Sequence, residues 1–318
     1  MKVLKSLVAP ALLAALLAGC GGSSRVSHYV PDRMVAFGDE LSLIQADGSK
    51  PAVNALKVNT TELDCAVYPM WQQRVASQYG MVFPQCNPSG VANPQATMRA
   101  ASGARVADVE AAVQAHRAAS AFEPRTLVTI SAGLNDISAA YAAFDAGTLT
   151  REQALAQVAD AGRRLGVLVD SIVDGGRGAR VIYMWPPDLG DAPYAASEVT
   201  RTGQEARRTL LHDLTQAFID ALRPANEGLH VGRVDAALRI RTALTPTSLA
   251  GLALTNGTEP ACTVTLQTPC TTGTLVAGAA ANGMNYLWAD LQHPGPRFHD
   301  WIGERAFNHS YNVLLPLD

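Results

Sequence analysis

Short apolar runs alternate along the chain with longer stretches of helical periodicity, the pattern of strands and helices taking turns. Met34-Val35-Ala36-Phe37 is a four-residue apolar run closed by Gly38-Asp39 and reads as a buried strand. Residues 69–79 read as a helix, followed by a short strand at Met81-Val82-Phe83. Arg105 to Ala119 is alanine-rich and helical. Thr126 to Ile130 is the clearest strand and ends in a glycine- and asparagine-containing turn. Across 151–173, Leu155, Val158, Leu165, Val169 and Ile172 recur at helical spacing. Arg180 to Met184 is the next strand, stopped by Pro186-Pro187. A helix over 201–222 ends before Pro224, Leu229 to Val234 is the fifth strand, and a last helix near 297–310 starts after Pro294 and Pro296.

Strand then helix, repeated about five times, predicts an α/β fold with a central, mostly parallel five-stranded sheet covered on both faces. Such sheets place their sites just beyond the carboxyl ends of the strands. The segment 242–285 breaks the pattern. It is rich in Thr, Gly and Asn, holds two cysteines, and reads as a loop-rich insertion in one domain over 33–318. Gly175-Gly176-Arg177-Gly178 sits between a helix and a strand, where turn duty explains it.

The chain of 318 residues is 48% hydrophobic, enough for one large core. Its first residues read as an address. Lys2 and Lys5 precede an apolar run from Leu7 to Leu17 that is short for a membrane span. Leu17-Ala18-Gly19-Cys20 resembles a bacterial lipobox. That resemblance implies a signal peptide over 1–19, a lipidated Cys20 and a flexible tether over 20–32. Several acyl chains on one residue, at about 0.8 kcal/mol per buried methylene, anchor stably where one would not. Gly21 stands where an aspartate would resemble an inner-membrane retention signal, which favours the outer membrane. Loss of the leader moves the formal charge from −3 to −5, because Lys2 and Lys5 leave with it and no acid does. With a pI of about 6.2 and no basic stripe, nothing points to a nucleic-acid partner.

Four cysteines remain beyond Cys20: Cys65, Cys86, Cys262 and Cys270. An even number suits an oxidising compartment, and proximity in sequence favours Cys65–Cys86 and Cys262–Cys270. They lack the spacing of a zinc site. With no phosphate-binding glycine loop either, the reading calls for no cofactor and no metal.

Four polar blocks carry the candidate chemistry. They are Gly38-Asp39-Glu40-Leu41-Ser42, Ala101-Ser102-Gly103, Gly133-Leu134-Asn135-Asp136 and Asp290-Leu291-Gln292-His293-Pro294. Two of them directly follow predicted strands. In this order they resemble the SGNH, or GDSL-type, hydrolases, esterases and lipases on a three-layer α/β/α flavodoxin-like sheet. The resemblance runs from about residue 33 to the end. It includes Trp185-Pro186-Pro187-Asp188-Leu189-Gly190 and His299, six residues past His293. It implies oxyanion donors at Gly103 and Asn135, a base at His293 and its orienting carboxylate at Asp290. The substrate it implies is a small-molecule or lipid ester. The physics agrees: ester hydrolysis builds charge on the carbonyl oxygen, and each preorganised donor there is typically worth about 3–4 kcal/mol. His28, His116, His212, His230 and His309 show no partner pattern and read as surface or structural.

The departure is Glu40, which stands where the family has its nucleophilic serine. A carboxylate attacking an ester forms an intermediate from which it is the better leaving group, so Glu40 is a poor covalent nucleophile toward esters. Three readings follow. Glu40 acts as a general base, or holds His293 protonated, while water attacks over an intact oxyanion hole. Alternatively, Ser42 takes over as nucleophile. In the third, catalysis is lost and the pocket binds an acylated or glycan ligand. A glycosidase pairing Glu40 with Asp39 would need two carboxyls flanking one bond, which chain neighbours rarely supply.

Overall fold

The computed structural model describes residues 28–173, 178–228, 230–263 and 270–312. The expected leader, Cys20 and the tether up to residue 27 lie outside the described residues, as do Gly175 to Arg177, Leu229 and residues 264–269 of the insertion.

Strand β1 (Arg33–Gly38) leads through α1 (Trp71–Gln78) to a short edge strand, β2 (Ala96–Met98). Helix α2 (Val106–Ala119) then returns to β3 (Thr126–Ser131). Two helices, α3 (Leu134–Asp145) and α4 (Arg151–Val173), precede β4 (Arg180–Trp185). Two more, α5 (Pro193–Thr202) and α6 (Ala206–Ala221), precede β5 (Val231–Asp235). Beyond it lie α7 (Ala236–Ala243), α8 (Pro246–Gly251) and α9 (Pro296–Tyr311). The five strands are all parallel and ordered β2-β1-β3-β4-β5, the flavodoxin-like arrangement. Every residue of β3 is buried, as a strand covered on both faces requires. Helix α9 packs on α1, while α4 packs on α2, α3 and α6, so the sheet lies between two helical layers.

Four local expectations change. Met81 to Phe83 is not a strand of the sheet; Met81 and Phe83 are buried as loop residues, and Phe83 bridges only to Cys86. The edge position belongs instead to Ala96–Met98, whose three residues follow Pro94 and carry no apolar run. The helix expected over 201–222 starts later, as α6 at Ala206; residues 201–202 close the separate helix α5, which Gly203 ends in a left-handed conformation. The polar turn expected at Gly133 to Asp136 is the first turn of an unforeseen helix, α3.

The insertion is more ordered than its composition foretells. Asn256–Pro260 pairs in parallel with Tyr286–Trp288. Val53, Ala261, Cys262, Cys270, Tyr286 and Ala289 form a second, small core. Both expected disulfides are present, with Cα atoms 5.6 Å apart in Cys65–Cys86 and 5.7 Å in Cys262–Cys270. No helix among the described residues is long and apolar enough to cross a membrane. Replacing Cys262 and Cys270 together by alanine should cost about 2–4 kcal/mol, read as a lower urea midpoint. An unchanged midpoint would show that the small core holds without its staple.

Candidate active site

The site begins with a close approach of two strands. Gly38 has φ of +135°, and a Cβ there would lie 2.0 Å from the carbonyl oxygen of Ser131 on β3. Only glycine fits, and the chain turns sharply off the end of β1. Asp39 is fully buried and caps a single 3-10 turn over Glu40–Ser42, its Oδ1 accepting from the Leu41 amide at 3.1 Å. Glu40 is thereby presented, half-buried, over the crevice between β1 and β3, where the strand order reverses.

Its carboxylate meets donors from the loop after β2 and from the first turn of α3. Oε2 accepts from Asn135 Nδ2 at 2.7 Å. Oε1 accepts from the Ser102 hydroxyl at 3.0 Å and from the backbone amide of Gly103. Gly103 can aim its N–H this way because its φ is +73°. Asn135 also donates to the carbonyl of Ala104 at 3.1 Å, and its neighbour Asp136 accepts from the Val106 amide at the start of α2 at 3.0 Å. The first turn of α3 therefore holds the Ser102–Gly103 loop in place. Gly103 and Asn135 converge as expected, but on Glu40. The two expected donors are intact, and both are occupied by the protein's own carboxylate.

The second half lies on the turn before α9. His293 Nδ1 is 2.8 Å from Asp290 Oδ2, while the amides of Gln292 and His293 donate to Asp290 Oδ1 at 2.9 and 2.8 Å. Both residues are buried. Burial alone would lower the His293 pKa, but the charge and hydrogen bond of Asp290 outweigh it, and Glu40 and Asp39 add to the rise. Asp290 also resists burial: the His293 charge, with hydrogen bonds from His293 and Gln292, holds its carboxyl below the usual range. Asp39 is the reverse case. Burial, and then the charge of Glu40, pushes it up to about 8, so it is largely neutral at pH 7. The turn is braced by the insertion, since Cys262 donates to the carbonyl of Ala289 at 3.0 Å and Ala261 to that of Trp288 at 2.9 Å.

A family model, GDSL-like lipase/acylhydrolase, matches residues 34–306. The chain belongs to this family. Among solved structures it is similar to a lipase from a goat rumen metagenome, at 12% identity over 88% of this chain and 97% of that one, with a TM-score of 0.45. It is likewise similar to an acetylxylan esterase from Geobacillus stearothermophilus, at 14% identity over 89% and 95%, TM-score 0.39. An aryl esterase from M. smegmatis is similar at 14% identity over 87% and 97%, also with a TM-score of 0.39. At such identities none of them assigns an activity to this chain. No curated protein matches it in sequence.

The GDSL-like chain departs from its expected site in further ways. Ser42, the alternative nucleophile, is fully buried, and its hydroxyl has no hydrogen-bond partner among the described residues. Two positions along a tight turn, it points into the core while Glu40 points out. Asp39 lies beneath the turn and cannot flank a bond held at Glu40. His299 is buried, and burial, then the charges of Lys50 and His293, holds it down at about 3; it is a neutral core imidazole. Sequence reasoning gave Ser102 no role, although its place beside Gly103 was the available signal.

His212, read as unpartnered, bonds Asp188 of the Trp185–Gly190 block through Nδ1 at 3.0 Å. Asp188, Asp191 and His212 could in principle offer ligand atoms to a metal, all within 4.8 Å of one another. The guanidinium of Arg241, 3.4 Å from Asp188 Oδ2, already supplies a cation there. The cluster ties β4 to α6 and α7.

Followed by NMR, the His293 ring should titrate above the ordinary value near 6.5. In Glu40→Gln the midpoint should fall, because one of the charges that raise it is gone. His293 charging thus stabilises the fold below about pH 6.5, and the gain is lost as pH rises through the raised folded value. An unmoved midpoint in Glu40→Gln would separate the two residues electrostatically.

Proposed function

We propose that the chain hydrolyses carboxylic esters with water as the direct nucleophile, and that Glu40 holds the site shut at rest. The observation that carries this reading is the convergence of Gly103 and Asn135 on the Glu40 carboxylate, together with a bonded Asp290–His293 pair whose imidazole feels the Glu40 charge. With Nδ1 committed to Asp290, the other ring nitrogen of His293 is free to take a proton from water. The ester carbonyl needs the donors that Glu40 holds. A hydrogen bond to a charged group is worth about 1.5–3 kcal/mol, so an ester must displace several such bonds to bind productively. Slow turnover in the native chain is the consequence.

Turnover of para-nitrophenyl acetate tests this. The native protein should be slow, and His293→Ala should abolish what activity there is. Glu40→Ser should be faster by roughly a hundredfold, the worth of about one oxyanion donor. It should also react with a serine-directed phosphonate that leaves Glu40→Ala unlabelled. Equal rates in the native protein and His293→Ala, with no gain in Glu40→Ser, would overturn the reading. The filled hole also favours a second reading, a site that binds an acylated or glycan ligand without turnover. A silent native protein with an active Glu40→Ser variant supports that one.

The envelope placement is proposed on the Leu17–Cys20 block and the two disulfides, which suit an oxidising compartment. A clickable palmitate analogue fed to expressing bacteria should label the protein, and Cys20→Ala should remove the label. Labelling that survives this change would place the lipid elsewhere.

A further inference from the structure

At a carbonyl carbon the Glu40 carboxylate adds reversibly and departs first. At a saturated carbon bearing a good leaving group no such intermediate exists, so displacement is a single step and the carboxylate stays attached. Alkylation would turn Glu40 into an ester, and the groups around it are those an ester hydrolysis needs. Its two oxygens are unequal. Oε1 accepts from both Ser102 and Gly103, whereas Oε2 accepts from Asn135 alone, at 2.7 Å.

We propose that Glu40 is a covalent nucleophile toward uncharged primary alkyl halides, and that the oxyanion hole and His293 serve the hydrolysis of the glutamyl ester so formed. In the first step Oε2 attacks the carbon. The C–O bond forms as the carbon–halogen bond breaks, and the electron pair leaves with the halide. No proton moves. In the second step His293 takes a proton from water, and the hydroxide adds to Cδ of Glu40. The carbonyl electron pair moves onto Oε1, which already lies under the Gly103 and Ser102 donors. The bond from Cδ to Oε2 then breaks, and the alcohol departs with that oxygen and the proton held by His293. The new carboxyl loses its proton to solvent. Overall, halide and water give alcohol, halide ion and a proton.

The surroundings choose the electrophile. Glu40 and Asp290 carry two negative charges against at most one positive charge on His293, so the local field does not favour anionic substrates. Asp39, neutral through most of the physiological range, leaves the anionic charge of the turn on Glu40. The second step shares the His293 role proposed above, but the first does not. The two can therefore fail separately.

n-Butyl bromide is the probe, read by bromide release and by mass spectrometry of the protein and its Glu40 peptide. The native protein should release bromide over many turnovers. His293→Ala should release one equivalent per chain and retain a butyl group on Glu40. Glu40→Gln should do neither. Asp290→Asn, which keeps the imidazole, should clear the adduct more slowly than the native protein, and thermal melting shows whether each variant is folded. In a single turnover in water enriched in heavy oxygen, the label should enter Glu40 and not butanol. If His293→Ala carries no adduct and the native protein releases bromide no faster than Glu40→Gln, Glu40 is not the nucleophile, whatever the ester assay gives. An adduct equally persistent in native protein and His293→Ala overturns the second step and the base role of His293. Label found first in butanol means direct attack by water and overturns the covalent route.

Discussion

The Glu40 carboxylate ties the carboxyl ends of three strands to one another. It leaves β1 on a 3-10 turn and is met by the loop after β2 and by the first turn of the helix after β3. Each of those loops would otherwise present polar donors at an open rim, where water competes for them. A carboxylate satisfies them at full charge, and charge-assisted hydrogen bonds are about twice as strong as neutral ones. Order at the site is thus built in before any substrate arrives. The same bonds oppose a substrate that needs the donors for itself.

The Asp290–His293 half is held differently. Asp290 and His293 lie on no strand and no helix; their turn hangs between Tyr286–Trp288 and α9. The insertion fastens it through backbone bonds from Ala261 and Cys262, and the Cys262–Cys270 disulfide lies in the small core beneath. A segment whose composition reads as loose loop therefore sets the imidazole position. Around that imidazole the carboxyls differ in state. Asp290 is held ionised by His293 and backbone amides, whereas Asp39, without enough donors to offset burial, is driven toward neutrality. Adjacent acids in one site are separated by their hydrogen bonds.

Much of this was legible along the chain, where the signal is local. β1, β3, β4 and the helix α4 follow from apolar runs and helical spacing, and the alternation of elements gives the parallel sheet. Near neighbours in sequence predicted both disulfides. The blocks at residues 40, 103, 135, 290 and 293 stood out by their order along the chain and their resemblance to a family pattern, two of them directly after predicted strands.

What the fold alone decided depends on direction and on distant contacts. Edge strand β2 exists because β1 offers it a partner, not because Ala-Thr-Met favours extension. The helix expected from residue 201 begins only at Ala206, because Gly203 ends a separate helix before it in a left-handed turn. Residues 40 and 42 part, one facing the donors and one the core, because a tight turn reverses direction within two positions. Sequence named the donors at Gly103 and Asn135; only the packed structure showed that their partner is Glu40, since a hydrogen bond between loops some sixty and ninety residues apart leaves no trace in local pattern.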